Sequence, residues 1–134
     1  MKKNEYFLYH SCLSEIDSSN SCSMYVDDIK NKTEILSLYY QSFKFPDYFG
    51  FNWDALTDSL CYLDAWLLEK KIIVIHKKLP QLGEKDFKIY ISVLYDVCEF
   101  WAKHPDVLEF KVYFPIEYKS IIQGILRNIN SRFG

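Results

Sequence analysis

The sequence predicts an α/β layer fold on three observations. Helical and strand periodicities alternate along the chain, the pattern of strands joined by right-handed helical crossovers. The run Ile72 to His76 is apolar without alternation and rich in β-branched residues, as in a strand buried on both faces of a parallel sheet. Leu108 to Phe114 alternates instead, setting Leu108, Phe110, Val112 and Phe114 against Glu109, Lys111 and Tyr113, so it reads as a half-buried strand. The chain has 134 residues, 49% apolar and 18% aromatic, which is enough for one sizeable core and too hydrophobic for disorder.

The elements follow in order. Residues 5–9 and 22–27 read as strands, separated by a Ser-, Asp- and Asn-rich loop from Ser14 to Ser21. Thr33 is expected to cap a helix over 34–43, with Ile35, Leu38, Tyr39 and Phe43 on one face. Pro46 stops that helix, and Asp47 to Phe51 form a loop in which Gly50 is expected to hold a positive φ. Asn52 can cap a second helix over 53–67, whose buried stripe is Leu56, Leu60, Leu63 and Leu67. After the strand at 72–76, Pro80 and Gly83 mark a loop. A third helix over 86–103 turns Phe87, Ile91, Leu94, Cys98 and Trp101 inward and ends before Pro105. Beyond the strand at 108–114, a last helix over 117–130 is expected to bury Ile121, Ile122, Ile125 and Ile129.

Net charge is −2, which argues against a general nucleic-acid binder, since such domains are usually basic. Cys12, Cys22, Cys61 and Cys98 include no C-x-x-C pair, so buried or half-buried free thiols are expected rather than a metal or redox site. Lys2 and Lys3 are followed by Glu5, and the apolar run stops at His10. No leader peptide or bilayer span is therefore expected, and the location read from this is cytoplasmic. His10, His76 and His104 have no ligand-spaced neighbour, so each reads as a surface or packed histidine. The four glycines form no phosphate loop. No metal or cofactor is expected.

The charge is distributed unevenly. From Phe45 to Glu69 there is no Lys, Arg or His, yet Asp47, Asp54, Asp58, Asp64 and Glu69 all fall there. On a helix, Asp54 and Asp58 share a face about 6 Å apart along the axis. Like charges at that spacing cost the helix about 0.2–0.5 kcal/mol, and only Asp54 is close to the positive end of the macrodipole. Acidic runs are usually no more than a solvated face. A bare carboxylate pair beside Tyr48, Phe49, Phe51 and Trp53 can also receive a cationic surface. Opposite potentials would then speed the encounter.

The stretch Phe45-Pro46-Asp47-Tyr48-Phe49-Gly50-Phe51-Asn52-Trp53-Asp54-Ala55-Leu56-Thr57-Asp58-Ser59-Leu60 resembles the hallmark loop and second helix of the barstar family. That pattern runs apolar, Pro, acid, Tyr, aromatic, Gly, any residue, Asn, apolar, Asp-Ala-Leu, any residue, Asp, and every position is met. The resemblance covers about 22–114. It implies a small three-stranded parallel sheet with helices packed on it, plus an extra N-terminal strand and an extra C-terminal helix. The whole of 1–134 is then a single domain, with additions at 1–21 and 115–134.

The resemblance implies an immunity protein, not an enzyme, that blocks the cationic active site of a toxic ribonuclease by phosphate mimicry. It matches Tyr48 to an interface tyrosine and Gly50 to a glycine whose backbone faces the enzyme. Asp54 falls on the first contact aspartate and Asp58 on the aspartate that stands in for a phosphate. Through the third helix it places Glu99 on an acidic contact. The partner-binding residues expected are Tyr48, Phe49, Gly50, Phe51, Asn52, Asp54, Thr57, Asp58, Cys61 and Glu99. The expected partner is a basic ribonuclease in a one-to-one complex. No direct nucleic acid or membrane contact is expected, and the free chain would be a monomer. Departures are Thr57 and Leu63 where the family has aromatic contacts, and Lys103 where it has a second acid of the third helix. Two other readings are a small hydrolase using Asp54 and Asp58 as an acid/base pair, and a scaffold binding another basic protein.

Overall fold

A computed structural model of the chain describes residues 5–133, with side chains through residue 129; Met1 to Asn4, whose lysines entered the leader argument, lie outside them. Four strands, β1 (Phe7–His10), β2 (Cys22–Val26), β3 (Lys71–His76) and β4 (Glu109–Pro115), pair in parallel in the order β1-β4-β3-β2. The three strands implied by the resemblance are β2, β3 and β4. The additional N-terminal strand joins them at the edge, with Phe7 level with Val112 and His10 level with Pro115. On β3, Ile72 to His76 are all buried, as their unbroken apolar run requires, and β4 keeps its alternation with Phe110, Val112 and Phe114 inside.

The helices are α1 (Lys32–Ser42), α2 (Trp53–Leu60), α3 (Glu84–Ala102) and α4 (Lys119–Phe133). The cap of α1 is Asn31 rather than Thr33. Asn31 Oδ1 accepts the Glu34 amide at 2.9 Å, while Glu34 Oε1 accepts the Lys30 amide at 2.8 Å. An asparagine two residues upstream, with a glutamate three further on, outcompetes the threonine. The expected helix over 53–67 ends at Leu60. The Tyr62 amide then bonds the Ser59 carbonyl at 3.1 Å, and a 3-10 turn spans Leu63–Ala65. The stripe survives this tightening, since Leu56, Leu60, Leu63 and Leu67 are all buried. On α4, Ile122 and Ile125 are buried, but Ile121 is 57% exposed. Adjacent helical residues point about 100° apart and cannot share one narrow stripe. Cys98 is buried and Cys22 and Cys61 half-buried, but Cys12 is exposed, contrary to expectation; all four are free.

Candidate functional site

The loop after α1 is held from beneath by aromatic rings. Lys44 takes a positive φ of 55°, which turns the chain so that the Phe45 amide bonds the Tyr40 carbonyl at 3.0 Å. Phe45 and Phe49 are buried with ring centroids 4.9 Å apart, Phe49 meets Phe51 at 4.8 Å, and Tyr40 stacks on Phe49 at 5.9 Å. Phe49 therefore supports the loop from inside rather than offering surface. Tyr48 stands at its tip, 86% exposed, and Phe51 is 44% exposed.

The positive φ expected at Gly50 belongs instead to Phe51, at 51°, and no described glycine has one. What a larger residue would meet at 50 is crowding: a Cβ there would lie 3.2 Å from Asn52 Nδ2, so that side chain would have to give way slightly. That amide donates to the Gly50 carbonyl at 3.3 Å. Asn52 Oδ1 accepts the Ala55 amide at 2.8 Å, so the expected cap of α2 is made and one side chain ties loop to helix.

Two tryptophans clamp α2 onto α3. Trp53, the first residue of α2, is buried and its indole Nε1–H donates to Asp86 Oδ1 near the start of α3, at 3.1 Å. Trp101, near the end of α3, donates to the Leu60 carbonyl at 2.9 Å. That carbonyl is one of those a helix C-terminus leaves unpaired. Between these anchors Asp54 and Asp58 are exposed. Asp54 lies in the first turn, where the macrodipole favours it. Thr57 is half-buried, and its hydroxyl donates to the Trp53 carbonyl at 3.1 Å.

Beside the C-terminal end of α2 the acidic surface crosses to α3. Burial pushes the Cys61 thiol up to about 11, and the Asp58 and Asp96 carboxylates push in the same direction, so both lie around it. Desolvation holds the Asp96 carboxyl above the ordinary aspartate range, with the Glu99 carboxylate adding to the effect. Asp96 did not emerge from the sequence pattern. Its place three residues before Glu99, on one helical face, is the signal that could have found it. Lys30–Asp28, Lys88–Glu84 and Lys111–Glu109 form ion pairs, and among the described residues none reaches Asp54, Asp58, Asp96 or Glu99.

The histidines are spent on structure. A carbonyl can only accept, so His76 Nδ1–H donates to the Tyr113 carbonyl at 2.8 Å, which leaves Nε2 to accept from the Tyr90 hydroxyl at 2.7 Å. Tyr90 in turn accepts from Tyr39 at 2.8 Å. Burial holds His76 down to about 3. His10 Nε2–H donates to the His76 carbonyl at 2.8 Å, and its Nδ1 is buried with no hydrogen-bond partner among the described residues. His104 packs on Phe100, ring centroids 4.9 Å apart.

The structure thus leaves a carboxylate pair exposed on a clamped helix, behind an aromatic loop. The model of the family described as Barstar (barnase inhibitor) matches residues 21–114. This chain belongs to the barstar family. The match takes in β2, α1, α2, β3, α3 and nearly all of β4, and so contains the whole acidic surface. β1 and α4 lie outside it. Members of the barstar family inhibit ribonucleases such as barnase and are generally not enzymes. Among curated proteins none matches the chain. The departures from the barstar pattern are Thr57, half-buried; Leu63, fully buried; and Lys103, exposed at the C-cap of α3. Among the described residues no helix is long and apolar enough to cross a membrane.

Proposed function

We propose that the chain is an immunity protein that binds a basic, toxic ribonuclease one-to-one in the cytoplasm and fills its active site with α2 and the preceding loop. Asp58 occupies the position of a scissile phosphate, Asp54 a neighbouring phosphate subsite, and Tyr48 packs against the rim. The observation that carries this reading is that Asp54 and Asp58 are exposed and unpaired among the described residues, on a helix fixed at both ends. A cationic cleft supplies the missing partners without having to displace any. The single domain over 1–134, with β1 and α4 as additions, belongs to the same proposal. The acid/base hydrolase reading is weaker. It needs a pocket that holds a substrate between the two carboxyls, and both stand exposed on an open helix face.

The test is inhibition of barnase in an RNA-cleavage assay. The unmodified chain is expected to block turnover at stoichiometric concentration. Asp58→Ala is expected to weaken binding by about 2–5 kcal/mol, a magnitude taken over from buried interfacial charge pairs, the family's own among them, and caused partly by enzyme charges left unpaired. Full inhibition retained by both Asp58→Ala and Asp54→Ala would refute the mechanism.

A further inference from the structure

Along α2 the exposed positions recur every four residues: Asp54, Asp58 and then Tyr62, which is 67% exposed. Cys61 keeps near-helical angles (φ −82°, ψ 0°), so the turn carries on to Tyr62, two residues past the end of the helix. Leu63, where the family pattern has an aromatic contact, is fully buried as part of the core stripe and can offer a partner nothing. The aromatic group available at this end of the stripe is therefore one residue earlier. Its surroundings are anionic: Asp58 is one turn before it, and Asp96 of α3 lies beside the adjacent Cys61. A tyrosine this exposed contributes little to folding, and large aromatics are the side chains most enriched in the cores of protein interfaces.

We infer that Tyr62 is a specificity-determining anchor of the partner surface, placed to stack on an arginine of the ribonuclease whose guanidinium is paired by Asp58 or Asp96. This rests on the inhibitor reading above. A guanidinium is planar, stacks on an aromatic face and presents a fork of N–H donors to a carboxylate, so one side chain can use both features of the site. A lysine would be satisfied by the carboxylates alone and would gain less from the ring. The stripe then has an aromatic at each end, Tyr48 in the loop and Tyr62 beyond α2, with the carboxylates between them.

Barnase serves as the probe, with rates measured by stopped-flow for the unmodified chain, Tyr62→Ala, Tyr62→Phe and Asp58→Ala. Tyr62→Ala should loosen the complex about 10- to 100-fold through faster dissociation, with the association rate and its salt dependence unchanged. Tyr62→Phe keeps the ring and should bind like the parent. Unchanged thermal midpoints establish that the variants are folded, as expected for so exposed a position. Parent-like binding by Tyr62→Ala, alongside weakened binding by Asp58→Ala, overturns this inference and leaves the inhibitor reading standing. Parent-like binding by Asp58→Ala, or no binding of barnase by the unmodified chain, overturns both.

Discussion

The hydrogen-bonded chain in the core makes a directional prediction. The His76 tautomer is set by the Tyr113 carbonyl, so the chain runs from the Tyr39 hydroxyl to Tyr90 and from Tyr90 to His76 Nε2. Tyr90→Phe removes the middle hydroxyl. It leaves His76 Nε2 without a donor and the Tyr39 hydroxyl without an acceptor, and all three residues are fully buried. Each such orphan costs about 1–3 kcal/mol, so the variant should lose about 2–6 kcal/mol of stability. Tyr39→Phe removes only the terminal donor. Tyr90 still donates to His76, and the loss should be about 0.5–1.5 kcal/mol, the net worth of one hydrogen bond. Urea denaturation of the parent and both variants, analysed with a common m value, measures the difference. An equal or larger loss for Tyr39→Phe would mean that Tyr90 is not the member on which both neighbours depend, and would refute the chain argued here.

Two further outcomes follow from the same structure. His76 takes up a proton near 6.5 when unfolded but, through burial, only near 3 when folded. The unfolded state therefore binds more protons between these values, and the stability present above pH 6.5 should fall on acidification by up to about 1.4 kcal/mol per pH unit. The window from pH 6.5 to 5 is the informative one, because it lies above the ordinary carboxylate range. A stability flat across that window by urea denaturation would contradict the buried neutral imidazole. Asn52→Ala should cost about 1 kcal/mol through loss of the α2 cap, while Asn52→Asp, which can also accept the Ala55 amide, should lose much less; equal losses by thermal denaturation would mean that the cap is not what Asn52 contributes.

Much of this architecture could be read before the structure because burial leaves a period in the sequence. The unbroken run on β3, the alternation on β4 and the four-leucine stripe each report a surface that must avoid water, and each falls where expected. What the pattern leaves open is local competition. Asn31 and Thr33 are both good caps, and only the reciprocal bond from Glu34 to the Lys30 amide decides between them. The leucine period runs on past the end of α2 because a 3-10 turn keeps the leucines inward as well as another turn of helix would. At the site, the acid run pointed to Asp54 and Asp58, but a run along one segment cannot report Asp96, which tertiary packing brings from α3 to Cys61. Phe49, expected at the partner surface, is buried for a related reason. An aromatic in a loop is equally compatible with a tip and with a foundation, and only the ring contacts of Tyr40, Phe45 and Phe51 assign it to the second.

The placement of the stabilising interactions around α2 bears on why its carboxylates can be left bare. A short helix with two like charges on one face is a poor helix by itself, since few residues repay its nucleation and the charges oppose each other. Here neither the cap nor the two indole bonds uses the exposed face: Asn52 acts at the first turn, Trp53 reaches down to Asp86, and Trp101 reaches up to the Leu60 carbonyl. The face that carries Asp54 and Asp58 is thereby relieved of any part in holding the helix. A lysine set beside Asp58 would gain the helix about 0.2–0.5 kcal/mol, but a ribonuclease would have to displace that lysine before its own cations could bind. Clamping the helix from behind keeps the carboxylates both fixed and, among the described residues, unpaired, which is what the proposed phosphate mimicry requires.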